Sequence, residues 1–530
     1  MENYNKLVEH YKTISNFSHL SAICGWDAAA MMPSGGNQAR SEAMAQLSLH
    51  IHQLSTAPQL AEWFEQAQSD ELDPSQRASL GEMKRQWQLT TVVPEELVKA
   101  KSLAGSKCEH AWRTQRGDND WDGFCKNFEE VVKLSQEEAQ IRAEQSGLTP
   151  YDAMLDIYEP GVNSQQLDSI FGDLVSWLPE LTQQVIEKQK TESVYTTEES
   201  YSTKDQNALG LEVMKLLQFD FDHGRLDISS HPFCGGVPQD VRITTRYDES
   251  DFVQSLMGIV HETGHARYEQ GLPKQWAGLP VGQARSMGIH ESQSLFFEMQ
   301  LGRSQPFIAN LAPLAQKHFS TNDAKVFEAN NLQKIYTRVQ PGYIRVDADE
   351  LTYPAHVILR YEIERDLMNG KISYKDIPEL WNLKMLQYLG LSTQGNFKDG
   401  CMQDIHWTDP ERTLITPSQT TDKKEKRLKK HNYKDGCMQD VHWCDGSFGY
   451  FPSYSLGAMY AAQFMATIKK TIDVDATVRS GDLTPIFNWL HDNIWSKGSL
   501  LTTDELVRQA TGEILNPAHF RKHLEDRYLK

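Results

Sequence analysis

The residues best suited to metal binding and acid–base chemistry form the segment HETGH, residues 261–265, which has the HExxH pattern. In a helix, His261 and His265 are four positions apart and project from one face. That spacing lets two imidazoles bind one zinc ion while Glu262 reaches an adjacent water. Gly264 costs the helix roughly 1 kcal/mol relative to alanine, which does not overturn the prediction. The segment predicts a metal site, and the alternative is a chance occurrence on a surface helix.

A catalytic zinc ion needs a third protein ligand and one open position. The best candidate is Glu291, near the start of a second amphipathic segment in GIHESQSLFFEMQ, residues 288–300. The alternative is an ordinary glutamate near a helix N-terminus, where the helix dipole favours negative charge. Glu269 and Glu298 are rival candidates. HETGH is not followed by the GxxH that would supply a third histidine.

The elements around these residues are mostly helical, because apolar residues recur every three or four positions. A β region is expected near residues 226–247, where VRITTRY alternates apolar and polar side chains and HPFCGGVP supplies turn residues. We therefore predict a mainly α fold with one small sheet near the metal site. Among the predicted helices are residues 95–103, 165–190, 252–270, 292–303 and 353–369.

The overall composition restricts the binding partners and the cellular location of the protein, but it does not identify the chemistry of the site. The 530 residues carry a formal charge of −19, which argues against binding nucleic acid or an anionic membrane through the whole surface. The N-terminus lacks a secretory signal pattern, and no apolar run is long enough to span a bilayer. The seven cysteines are scattered and form no CxxC pair, which suits reduced thiols. We expect a cytoplasmic location.

One segment occurs twice. NFKDGCMQDIHW, residues 396–407, recurs with two changes as NYKDGCMQDVHW, residues 432–443. The stretch between the copies, residues 408–431, is polar and ends in a basic run. We therefore expect it to be a solvated insertion. A single recurrence does not indicate a repeat fold.

Taken in order along the chain, these motifs resemble the carboxypeptidase Taq family of metallocarboxypeptidases. The resemblance is carried by WDAAAMMPSGG (26–36), HPF (231–233), DVRIT (240–244), HETGH (261–265), HESQ (290–293), IRVDADE (344–350), GCMQDVHW (436–443) and GSFGYFPSYSLG (446–457). It covers nearly the whole chain.

The resemblance implies a single catalytic unit over residues 1–530, with a helical cap in residues 1–110 and a deep active-site groove. It also implies His261, His265 and Glu291 as metal ligands and Glu262 as general base. The metal would be zinc or, as in some members, cobalt or manganese. The implied activity is removal of C-terminal residues from peptides with broad specificity, by a homodimer.

An enzyme that removes terminal residues must also recognise a carboxylate, and the planar fork of arginine matches that group. Arg345 in IRVDADE is our first candidate and Arg242 in DVRIT the second. His231 and Asp240 are expected to shape the groove or to hydrogen bond a ligand histidine.

The transition-state oxyanion needs hydrogen-bond donors beside the metal. His442, Tyr450 and Tyr454 are the candidates, because they stand in a glycine-flanked aromatic loop. Isolated residues of these types are more often structural aromatics.

The duplicated segment departs from the family pattern, which has one GxxQDxHW joined to the FGYFP stretch. Either copy could occupy the groove, since the first follows directly from LGLSTQG, but we favour the second because Tyr450 and Tyr454 must be positioned with it. Two other functions stay open: a helical metallo-oligopeptidase that cuts internally, and an inactive peptide-binding protein whose groove is spoiled by the insertion.

Overall fold

The computed structural model describes residues 1–118, 120–197, 199–229, 232–319, 324–393 and 441–530. Helices make up most of these residues, and three short strands form one sheet. The mainly α fold with a single small sheet is thereby confirmed. The first copy of the duplicated segment and the polar insertion, residues 408–431, lie outside the described residues. None of the described helices is both long and apolar enough to cross a membrane.

The helices before the sheet are α1 to α9: Glu2–Ala30, Asn37–Ser55, Gln59–Ala67, Pro74–Thr91, Glu95–Asp118, Trp121–Ser146, Pro150–Tyr158, Ser164–Gln189 and Thr203–Leu216. Helices α1, α3 and α4 share a hydrophobic cluster that includes Leu7, Leu60 and Met83. Most of this cluster lies within the expected cap region, but Leu279 and Val281 join it from outside residues 1–110. Helix α5 runs through residue 110 without a break, so the boundary of the cap stays a prediction.

The helices after the sheet are α10 to α21: Phe252–Gly271, Met287–Leu295, Gln305–His318, Ala329–Tyr336, Tyr353–Met368, Ile377–Leu389, Val441–Asp445, Pro452–Ile468, Val474–Ser480, Thr484–Asn493, Thr503–Thr511 and Ala518–Tyr528. The helices predicted at 165–190, 252–270 and 353–369 agree with these bounds to within one residue, whereas the helix predicted at 95–103 continues to Asp118. The segment predicted to start at residue 292 starts earlier, because the side chain of Ser286 accepts a hydrogen bond from the Ile289 N–H and caps α11. A π-helical turn, Phe296–Gly302, then continues α11 to the predicted end.

The sheet consists of β1 (Gly224–Ile228), β2 (Cys234–Val237) and β3 (Asp240–Thr245) in the order β1-β3-β2. Strand β3 pairs in parallel with β1 and antiparallel with β2. Successive side chains on a strand point to opposite faces. Val241 and Ile243 are therefore buried on one face of β3, where they pack against Ile259 of α10. The sheet thus supports the helix that carries the HETGH segment.

Candidate metal centre and active-site cavity

Helices α10 and α11 bring three candidate metal ligands together. His261 and His265 lie on α10, whose N-terminus is capped by Asp251, and Glu291 lies on α11. The Nε2 atom of His265 is 3.4 Å from Oε2 of Glu291, and Nε2 of His261 is 4.0 Å from Oε1 of the same carboxylate. One donor atom from each residue lies within 4.8 Å of the others.

This arrangement fits a divalent metal ion. Ligand bonds of about 2.1 Å in a tetrahedron place donor atoms roughly 3.4 Å apart, close to the observed separations. Two imidazoles and one carboxylate also form a donor set that zinc accepts, with a fourth position left for a reacting group. The three side chains are at least three-quarters buried, which protects such a site from bulk water.

Behind His261 lies a carboxylate that orients the ring. The Nδ1 atom of His261 is 2.9 Å from Oε2 of Glu298, and Arg303 donates to the other oxygen at 2.6 Å. Burial would raise the pKa of Glu298, but the charge of Arg303 and the hydrogen bond with His261 lower it to about 2. Glu298, a rival ligand in the sequence, therefore contacts the far side of the imidazole and leaves Nε2 facing Glu291.

Behind His265 lies a second histidine. The Nδ1 atoms of His265 and His290 are 2.7 Å apart, and Nε2 of His290 is 2.8 Å from Oε1 of Glu269. For Nε2 of His265 to be free for a metal, its Nδ1–H must donate to His290. His290 must then carry its own proton on Nε2 and donate it to Glu269. The other rival ligand, Glu269, thus ends a directional hydrogen-bond chain.

The buried charges at the centre shift the ionisation of its members. Burial raises the pKa of Glu262 to about 7, against the lowering effect of His261. Burial lowers the pKa of His265 to about 4. Burial would also lower the pKa of His261, but the hydrogen bond with Glu298 and the charge of Glu291 raise it to about 10. Because a ligating imidazole must be neutral, His261 must release its proton when a metal binds.

Two glycines let α10 and α17 pack closely against α11, the helix that carries Glu291. A Cβ atom on Gly264 of α10 would lie 2.6 Å from the carbonyl oxygen of Gln293 on α11. A Cβ atom on Gly457 of α17 would lie 2.7 Å from Cγ of Glu291. Glu291 is therefore held between α10 and α17, and any larger side chain at either glycine would push it away.

Glu159, which the sequence did not single out, ties the same elements together. It is fully buried, and its carboxylate accepts hydrogen bonds from the backbone N–H of Gly288 in α11 and from Oγ of Ser453 in α17. Burial raises the pKa of Glu159 to about 7. This carboxylate fixes the start of the helix that carries Glu291 relative to the start of the helix that carries Tyr454.

The metal centre opens into a cavity of about 500 Å³. His261, Glu262, Glu291, Arg345 and Tyr454 all line it. The cavity therefore joins the HETGH helix to the IRVDADE and tyrosine-loop segments, which are far apart in the sequence.

Arg345 is buried in this cavity within a cage of aromatic rings. Its guanidinium lies 5.0 Å from the ring centre of Tyr454 and 5.5 Å from that of Phe451. Its Nη1 donates to the hydroxyl of Tyr353 at 2.9 Å. Tyr353 also lines the cavity and was missed by sequence reasoning. Its position shortly after IRVDADE is the only signal that could have found it.

The other two candidate oxyanion donors belong to an aromatic cluster beside the cavity. The His442 ring stacks on Tyr450 at 5.3 Å, and Tyr450 contacts Tyr454 at 5.3 Å. The cluster is anchored by Glu364, which accepts hydrogen bonds from Nε1 of Trp443 at 2.7 Å and from the Gly449 N–H. His442 and Trp443 come from the second copy of the duplicated segment.

The remaining candidates lie elsewhere. Arg242 is outside the cavity lining: it pairs with Asp240 at 2.9 Å and stacks on Trp26 of α1 at 4.6 Å. It points away from α10 because its neighbours Val241 and Ile243 occupy the buried face of β3. The structure therefore assigns Arg242 to the contact between α1 and the sheet. His231 lies outside the described residues.

Comparisons with known proteins agree over the whole chain. A family profile described as carboxypeptidase Taq (M32) metallopeptidase matches residues 6–411 and 423–528. The chain is 33% identical to carboxypeptidase 1 of Bacillus subtilis, over 98% of this chain and 96% of that protein. It is also 33% identical to thermostable carboxypeptidase 1 of Thermus thermophilus, over 99% and 98%.

Solved structures show the same relationship. The structure of metallocarboxypeptidase 1 of Trypanosoma cruzi superposes with a TM-score of 0.91 at 46% identity, and each chain is fully covered. The structure of Pyrococcus furiosus carboxypeptidase superposes with a TM-score of 0.88 at 28% identity, over 100% of this chain and 99% of that one. The chain belongs to the carboxypeptidase Taq (M32) family of metallocarboxypeptidases, which are hydrolases.

Proposed function

We propose that this protein removes C-terminal residues from peptides with broad specificity, using one divalent ion held by His261, His265 and Glu291. The observation that carries the proposal is the shared cavity: His261 and Glu291 of the three-residue metal centre, Glu262 and the buried Arg345 all border one space of about 500 Å³. A peptide end placed there would meet a metal centre, a base and a carboxylate reader together.

Held by His261, His265 and Glu291, a divalent ion would supply Lewis acidity to the scissile carbonyl and to the attacking water. Glu262 takes the proton of the attacking water and then passes it to the departing amine. Its position supports that role, because Glu262 lies on the helix between the two ligand histidines and borders the cavity.

Arg345 binds the terminal carboxylate of the substrate and so selects a free C-terminus. Its aromatic cage and the hydroxyl of Tyr353 hold the guanidinium in place before substrate arrives. Tyr454, with His442 and Tyr450 packed beside it, donates to the oxyanion that forms on the scissile carbonyl.

The most informative experiment compares the wild type with Glu262→Gln. The glutamine keeps the shape of the side chain but cannot accept the proton. We expect metal content to be retained and release of C-terminal amino acids to fall by about 100- to 10,000-fold. Unchanged hydrolysis in the variant would refute the assigned base.

A second comparison tests the carboxylate reader. Arg345→Met should lower kcat/KM on peptides with a free C-terminus by about 100-fold or more, since it leaves the substrate carboxylate unpaired in a buried site. Arg242→Met is the matched control and should not change the preference for a free C-terminus over a C-terminal amide. Efficient internal cleavage of amidated peptides by the wild type would instead favour an oligopeptidase.

The metal, assembly and location complete the proposal. Zinc suits two imidazoles and a carboxylate, and cobalt or manganese are alternatives. Metal analysis of the purified protein identifies which is present. We also propose a homodimer, tested by light scattering against the 60.5 kDa chain mass. A cytoplasmic location is supported by the five described cysteines, all of which are free thiols.

A further inference from the structure

A second cavity, of about 470 Å³, lies along the C-terminal half of the metal helix α10. Arg267 borders it, two residues after His265. At 3.6 residues per turn, that offset turns the Arg267 side chain about 200° around the helix from His265. The cavity is therefore separate from the metal centre, although it shares the same helix. Its other lining residues include Gln270, Lys274, Phe487, Asn488, His491 and Trp495.

Arg267 has no hydrogen-bond or ion-pair partner among the described residues, and its buried Nε is unsatisfied. The guanidinium instead lies 5.3 Å from the ring centre of Trp495 and 5.6 Å from that of Phe487. By contrast, Arg303, which borders the metal-centre cavity, forms an ion pair with Glu298.

The charges around the cavity favour an anion. Lys274 lines it and has no ion-pair partner in the described part of the chain. Asp220, whose charge also acts on Arg267, pairs with His223 at 2.7 Å, and Asp492 pairs with His491 at 3.1 Å. Two rings cover the guanidinium and restrict its orientation, which lowers the entropic cost of binding a ligand.

We propose that this cavity binds a small oxyanion, a carboxylate or a phosphate, through the guanidinium of Arg267 and the ammonium of Lys274. The planar fork of arginine matches two oxygens of either group, and lysine adds a point charge. Asn488 is placed to donate further hydrogen bonds, since it lines the same space.

Trp495 links this cavity to the helix that carries Glu291. Its indole Nε1 donates to Oε1 of Gln293 on α11 at 2.8 Å, and its ring packs where a side chain on Gly271 of α10 would stand. An anion on Arg267 would therefore strengthen a set of contacts that holds α10 and α11 together, and bound anion should raise the unfolding temperature.

The test is calorimetric titration of the metal-loaded protein with sodium phosphate and, separately, sodium succinate, at constant ionic strength set by sodium chloride. We expect the wild type to bind at least one of them with a Kd of about 1 mM or tighter. Arg267→Met keeps the apolar stem between the two rings but removes the charge, and it should weaken binding at least tenfold. Lys274→Met, at an exposed position, should weaken binding about threefold.

Because Arg345 would itself bind succinate in the other cavity, the same titrations are repeated in the Arg345→Met background, where the weakening caused by Arg267→Met should persist. Arg242→Met is the matched control, because its arginine is paired with Asp240 and it should leave the affinity unchanged. Tighter binding of phosphate than of succinate would assign the site to phosphorylated ligands, and the reverse order to carboxylates. The proposal is overturned if the wild type binds neither anion at tens of millimolar, or if neither Arg267→Met nor Lys274→Met weakens binding.

Discussion

Replacing Gly264 by alanine has two opposing effects: it raises the helix propensity of α10, and it places a Cβ atom where α11 packs against α10. A Cβ atom at this position would lie 2.6 Å from the carbonyl oxygen of Gln293 and 2.7 Å from Cα of Ser294, both on α11. Contacts between such atoms settle at about 3.5 Å, so α11 must retreat by roughly 0.9 Å. Both neighbours are backbone atoms, so no side-chain rotation relieves the clash.

That retreat has a calculable effect on the metal centre. Glu291 moves with α11, whereas His265 stays on α10, so their 3.4 Å donor separation lengthens. Metal sites tolerate errors of about 0.2 Å in ligand distance. We expect Gly264→Ala to bind zinc about 10- to 100-fold more weakly and to hydrolyse peptides about 100-fold more slowly. The gain of roughly 1 kcal/mol in helix propensity is offset by about 1–3 kcal/mol of overpacking.

The assay is competition for zinc against a chromophoric chelator, followed by urea unfolding of the metal-free protein. Gly258→Ala is the matched control, because it lies on the same helix and a Cβ atom added there would have no neighbouring atom within 4 Å. We expect this control to keep the zinc affinity of the wild type and to gain up to about 1 kcal/mol in stability. Equal zinc affinity for Gly264→Ala and Gly258→Ala would refute the reasoning.

Three further predictions concern residues that support the site. His290→Phe removes the acceptor for Nδ1 of His265 and should weaken zinc binding about 10- to 100-fold in the same competition assay. Glu350→Gln breaks the buried pair with Arg527 and should lower the free energy of unfolding in urea by about 3–5 kcal/mol. Burial raises the pKa of Glu159 to about 7 in the folded state, so folding favours its protonated form and wild-type stability falls as pH rises from 4.5 to 7. Relative to Glu159→Gln, the wild type should lose about 3 kcal/mol between pH 4.5 and 8 in urea titrations, and parallel pH profiles would contradict this.

Local patterns were sufficient to predict the helices and the donor spacing of the HETGH segment. An amphipathic period over residues 252–270 corresponds to α10, and the four-residue interval between His261 and His265 places both rings on one face. The alternation in VRITTRY likewise corresponds to β3. These features depend only on residues close together in the chain, so the sequence contains the information needed to predict them.

The choice among the three glutamates depended on how α10 and α11 pack. Glu269, Glu291 and Glu298 all lie within or next to helices near the centre, and periodicity gives each a plausible face. The close approach of the helices at Gly264 places Glu291 beside both imidazoles, whereas Glu298 contacts the far side of His261 and Glu269 contacts His290. Such a contact joins residues distant in sequence, and no local pattern records it.

The same limit applies to the two arginines and to the glycine of the metal helix. Arg345 and Arg242 both stand in family-like motifs, yet one borders the cavity and the other stacks on Trp26, because strand pairing and helix packing decide which face each occupies. In the sequence, Gly264 is only a weakness in a helix. Once α11 packs against it, the missing side chain is what lets the donor atoms meet, so its role follows from tertiary contact and not from its own conformational preference.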